Sequence, residues 1–116
     1  MKPSVLILVS SDPVSSSRPA EAVRIAAGVG TWKKADVRLY LHGPAIAALG
    51  EWVDHLKDDD NFTRYLPIAT DGGRPILVEA GHPAIAEIGE SSLPFEEISP
   101  AQLADWVRRS TYTLRF

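Results

Sequence analysis

The sequence predicts an α/β fold, with helices on both faces of a mostly parallel five-stranded sheet, in three layers. Three observations predict it. The runs SVLILV (4–9) and PILVEA (75–80) are apolar without alternation, as strands covered on both faces are. Stretches of helical periodicity separate the strand-like runs. Prolines 19, 44, 83 and 100 stand where those helical stretches open, and proline is well tolerated there because the first-turn N–H groups have no intrahelical partner.

Taken in order, residues 4–9 form the first strand. A helix follows, with Ser17 or Arg18 at its cap and Ala22, Ile25, Ala26 and Val29 on one face; Gly28 and Gly30 loosen its end. DVRLYL (36–41) is the second strand and runs into HGPA. Ile46, Leu49, Val53 and Leu56 then keep helical spacing around Gly50, as one bent helix or two short ones. The run Asp58, Asp59, Asp60 suits the start of a further helix, with Phe62, Tyr65 and Leu66 on one face and an early break at Pro67. DGGR (71–74) is a turn before the third strand, 75–80. GHPAIAEIG gives a loop and a short helix with Pro83 in first position. FEEI (95–98) is the fourth strand. In SPAQ (99–102), Ser99 and Gln102 have the spacing of a capping box, and the helix it opens turns Leu103, Trp106 and Val107 inward. TYTLRF (111–116) alternates, as a half-exposed strand at the sheet's edge or in a subunit contact does. Its apolar residues either meet a second subunit or pack beneath the last helix, against Trp106.

Composition narrows the function classes. At 116 residues, 45% apolar and 23% charged, the chain is a single domain, 1–116, with enough apolar residues for one core. A net charge of -3 without a basic cluster argues against nucleic acid as a partner. The first apolar run is too short for a signal segment or a membrane span, so the expectation is a cytoplasmic protein with no membrane partner. There is no cysteine, which removes disulfides, thiolate metal sites and thiol nucleophiles together.

In an open α/β sheet, ligands bind outside the carboxyl ends of the strands. The candidate binding residues are therefore Ser10, Ser11 and Asp12 after the first strand, with Ser16 and Ser17 at the following helix start. His42 follows the second strand, and Glu79 and His82 end the third. The serine turn has two readings. It is an anion cradle at a helix N-terminus, or only the residues that turns and caps require. It carries neither GxGxxG nor GxxxxGK[ST], so no nucleotide cofactor is assigned. His42, His82, Asp12 and Glu79 suit acid–base or substrate contact, but their spacing is not that of metal ligands, and no metal is expected. His-Gly-Pro and Gly-His-Pro surroundings also fit plain turn geometry. A serine nucleophile lacks the GxSxG elbow. His55 belongs to a solvated helix face, and the tryptophans at 32, 52 and 106 are read as packing or subunit contacts.

With SSDP, AVRIAAG, DVRLYLHGPA and PILVEA in place, the chain resembles the DsrE/DsrF-like family of sulfur-relay proteins over most of its length. The resemblance implies a small α/β fold, a cytoplasmic location and small homo-oligomers. The family's sulfur-transferring members use a cysteine in the loop after the third strand. Here that loop reads VEAGHPAI, with Glu79, Ala80 and Gly81 where the thiol would stand, so persulfide transfer is not implied.

The expected function is accordingly a cysteine-less, non-catalytic module that binds a small molecule, such as a small anion, or assembles with itself. Two other readings stand beside it: a small enzyme using His42, His82 and Glu79, and a nucleotide binder built on the serine turn.

Overall fold

The computed structural model describes residues 2–50, 52–71, 74–89 and 93–116. Strand β1 (Ser4–Val9) leads to helix α1 (Arg18–Thr31), β2 (Asp36–Leu41) and a 3-10 helix (Gly43–Leu49). Helix α2 (Asp60–Ala69), β3 (Ile76–Glu79), α3 (Ala84–Glu87), β4 (Phe95–Ile98), α4 (Pro100–Arg109) and β5 (Tyr112–Arg115) complete the chain. The strands form one sheet in the order β4-β3-β2-β1-β5, and every pairing is parallel.

Chain direction explains the layers. From β1 to β4 each strand is added on the same side of the last, and α1, α2 and α3 pack on one face. The step from β4 to β5 reverses that direction, and right-handed crossovers then put α4 on the other face. The cores are correspondingly unequal. Ile7, Val9, Leu39, Leu41, Ile76 and Val78 meet α1, the 3-10 helix and α2 in the larger core. Leu6, Tyr40, Leu77 and Ile98 meet Leu103 and Trp106 of α4 in the smaller one. The even and odd positions of β1, β2 and β3 feed different cores, which is why the runs of β1 and β3 show no polar alternation.

Several local expectations are corrected. Helix α1 runs through Gly28 and Gly30 to Thr31, and it buries Pro19, Ala20, Ala22, Val23, Ala26 and Ala27, a wider stripe than one sheet-facing row. Its extra buried side receives α2, whose Phe62 and Leu66 are buried in the same core and whose Asn61 side chain donates to the Ala20 carbonyl. The 3-10 helix stops at Gly50, and Val53 and Leu56 pack from a segment of turns rather than from a helix. Helix α2 continues through Pro67 to Ala69, because the missing N–H falls in the last turn and leaves only the carbonyl of solvent-exposed Thr63 without its helical donor. Pro83 is the cap of α3 rather than its first residue. In the DGGR turn, Gly72 and Gly73 lie outside the described residues. The capping box at α4 is complete, with Ser99 Oγ accepting from Gln102 N and Gln102 Oε1 accepting from Ser99 N. Within that helix Val107 is exposed, not inward.

Strand β5 lies at the sheet edge beside β1. Its register pairs Tyr112 with Val5 and Leu114 with Ile7, so both face the α1 layer and not Trp106. Phe116 packs on that larger core, while Tyr112 and Leu114 stay 60% and 41% exposed.

Candidate functional site

The residues that end β1, β2 and β3 reach one sheet edge, since the three strands are parallel neighbours. Register carries the alignment further. Leu8 pairs with Tyr40 and Tyr40 with Leu77, so two residues on, Ser10, His42 and Glu79 follow in the same order across the edge. The His42 N–H donates to the Val9 carbonyl, extending the ladder one step past β2.

His42 and Glu79 touch. Nδ1 of His42 lies 3.1 Å from Oε1 of Glu79, and the same oxygen accepts the N–H of Gly43 at 3.0 Å. Gly43 has a φ of +57°, a left-handed backbone conformation that glycine adopts freely, and nothing crowds the place of a Cβ there. The turn after β2 thus brings the Gly43 N–H donor and the His42 imidazole to one carboxylate. The His42 side chain is 53% exposed, and no hydrogen bond among the described residues engages Nε2. Such a ring can accept a proton or a hydrogen bond from a ligand, or donate to an anion once protonated.

Tyr40 stands two residues before His42, on the same side of β2, with ring centroids 6.4 Å apart. Burial raises its phenol pKa above the ordinary value, and the Glu79 charge adds to the shift. It therefore stays protonated throughout the neutral range. The sequence reading passed over Tyr40 and Gly43. The alternation that places His42 also places Tyr40, and a glycine directly after a strand signals a special turn.

The serine turn is spent on its own geometry. Ser10 and Ser11 donate their backbone N–H groups to the Phe116 carbonyl at 3.0 and 3.4 Å. Asp12 caps the turn, its Oδ1 accepting from Val14 N and its carbonyl from Ser15 N and Ser16 N. Ser16 Oγ accepts from Arg18 N, and Ser17 is the cap residue of α1 without a side-chain cap bond. The direction of strand addition reverses between β1 and β5, and such a switch point opens the ligand crevice in related layouts. Here backbone bonds to Phe116 stitch it, and Arg18 reinforces them by donating to the Arg115 carbonyl and lying 5.6 Å from the Phe116 ring centroid.

His82 also serves its own loop: its Nδ1 accepts from Ala84 N at the start of α3. No bond among the described residues joins it to His42 or Glu79. No group of three or more His, Asp or Glu fit to hold a metal occurs among the described residues. His55 lies outside any helix, in a hollow of about 340 Å³ that Trp52, Glu87 and Ile88 also line. Trp106 packs as expected, whereas Trp32 and Trp52 are largely exposed. No helix among the described residues is long and apolar enough to cross a membrane.

No family model matches the chain, and no curated protein matches it. Among solved structures it is similar to the ychN protein from E. coli, at 22% identity and a TM-score of 0.75, with all of both chains covered. At that identity the likeness is one of fold. The chain therefore shares the α/β fold of ychN, and it contains no cysteine.

Proposed function

We propose that the protein is a small-molecule-binding and assembly module of DsrE/DsrF-like type that has given up sulfur transfer. The observation that carries this reading is the His42–Glu79 pair at the carboxyl edge, in the position of the fold where ligands collect, in a chain with no thiol. The ligand is a small anion or polar molecule that meets Nε2 of His42, with Ser10 beside it. The serine turn supports the sheet edge rather than the ligand, because its backbone donors are already engaged. Self-assembly uses β5, whose outer backbone edge and exposed Tyr112 and Leu114 invite a second copy.

NMR titration with a panel of small anions and carbonyl compounds tests the binding. Shifts at Ser10, His42 and Glu79 that vanish in His42→Ala are expected. Saturable binding that leaves those residues untouched would overturn the reading.

The same pair favours a second reading, acid–base catalysis, since a carboxylate-oriented imidazole with a free nitrogen suits proton transfer. Turnover of a bound carbonyl compound, lost in both His42→Ala and Glu79→Ala, would select it.

A further inference from the structure

At the amino edge of the sheet, the end opposite His42, two arginines meet one indole. The guanidinium carbon of Arg38, on β2, lies 5.3 Å from the Trp106 ring centroid, and that of Arg109, on α4, lies 5.2 Å from it. Each contact is favourable alone, yet together they gather two like charges around one ring. The two arginines are not equally provided for. Arg109 pairs through Nε with Asp105 Oδ2 at 2.9 Å. Arg38 has no ion pair or hydrogen bond among the described residues, and its Nε is buried without an acceptor. A guanidinium carries five donors and does not lose its charge in a protein. A buried donor of that kind without an acceptor is rare and costly, and it marks the place of an absent partner.

The space beside the rest of the guanidinium is open. A cleft of about 180 Å³ is lined by Ser4, Asp36, Arg38, Trp106, Arg109 and Ser110. Its other polar groups are already engaged. Ser4 Oγ donates to the Arg109 carbonyl and accepts from Thr111 N, and Ser110 Oγ donates to the Trp106 carbonyl. Asp36 has Arg74 at 3.6 Å. What remains unspent is the Arg38 fork, with the exposed end of Arg109 as a second cation.

We propose that this cleft binds a small oxyanion, a carboxylate or a phosphate group, with Arg38 as its principal ligand and Arg109 as the second. The guanidinium fork matches both groups bidentately. An anion between the two arginines also relieves their mutual repulsion. Asp36 at the rim disfavours highly charged ligands and sets the preference for a small one. Nothing in this site depends on the His42–Glu79 pair, which lies at the other end of the strands.

The test is an NMR titration of the intact protein with sodium phosphate and with sodium acetate, against sodium chloride at matched ionic strength. The reporters are the Arg38 Nε–H and Trp106 indole N–H resonances. Saturable shifts with phosphate or acetate are expected, and the tighter of the two identifies the ligand's head group. Affinity falls roughly tenfold or more in Arg38→Met, the loss of one charge-assisted pair. It falls several-fold in Arg109→Met, an exposed position that leaves the fold intact and so decides the matter even if the first variant is unstable. Glu79→Gln leaves this binding unchanged. Equal shifts with chloride, no saturation with either oxyanion, or unaltered affinity in Arg109→Met would overturn the proposal.

Discussion

Oε1 of Glu79 lies 3.1 Å from Nδ1 of His42, although 36 residues separate Glu79 from the Gly43 N–H that shares the same oxygen. The contact exists because β2 and β3 are adjacent and in register. Replacing Glu79 by Ala removes the acceptor of the Gly43 N–H and the carboxylate beside the His42 ring. Partial solvent access limits the cost to about 1 kcal/mol, at the low end for a bond to a charged group. Urea unfolding measures it, and faster amide exchange at Gly43 accompanies it in Ala but not in Gln.

Alkaline pH is expected to weaken the fold through Tyr40. Its folded pKa is raised above the ordinary value of about 10, by burial first and by Glu79 second. Below pH 10 the phenol is protonated in both states and contributes its full share. Above it the unfolded chain loses the proton first, so stability declines as pH rises through the folded value. Tyr40→Phe should flatten that decline, as thermal melts between pH 8 and 11 would register. An unchanged slope would remove Tyr40 from the account.

Two glycines should respond to alanine in opposite directions. Neither place has an atom within 4 Å of an added Cβ, so only backbone conformation differs. Gly43, at a φ of +57°, loses about 1–2 kcal/mol. Gly28, in the interior of α1, gains roughly 0.5–1 kcal/mol from better helix propensity. Chemical denaturation of the two variants side by side checks both signs at once.

The cap of α4 gives a fourth stability measure. Ser99→Ala breaks the reciprocal pair with Gln102 and costs about 0.5–2 kcal/mol. A midpoint lowered by a few degrees is the expected result, and the Gln102 amide should lose protection.

Assembly through β5 predicts a concentration-dependent homo-oligomer. Tyr112→Lys puts a charge on the 60% exposed edge residue and should yield a monomer with an unaltered circular dichroism spectrum. Light scattering at high micromolar concentration decides it. A monomeric parent protein would dispose of the idea.

What could be read from the chain follows from how far each signal reaches. The apolar runs gave strand limits within a residue or so, because a strand covered on both faces shows it locally. Ser99 and Gln102 announced their cap for the same reason. Pro67 misled because a local stop signal says nothing of where in the helix it falls. Gly28 and Gly30 misled similarly, since packing of α1 against both the sheet and α2 outweighs the weak propensity of glycine. Sheet order, and with it the contact of His42 with Glu79, depends on pairings between distant segments that no local pattern records. The serine turn was legible as residues, but only the fold shows that the N–H groups of Ser10, Ser11, Ser15 and Ser16 are already bonded. The meeting of Arg38 with Trp106 gave no signal, since it joins a strand cation to a helix face only where α4 crosses the sheet.

One consequence of the strand order concerns time rather than energy. Strand β1 is made first, yet its ladder on one side is supplied by β5, with Ser4 and Thr111 exchanging bonds across 107 residues. During synthesis it leaves the ribosome long before that neighbour exists. The β1–β2 unit with α1 can form early, since its contacts are comparatively local. The flank that β5 will occupy stays bare until residues 112–115 emerge, and closing so long a span is slow. That interval is when β1 is open to pairing with a neighbouring chain instead, so yield on refolding should fall with protein concentration more steeply than folded-state stability alone implies.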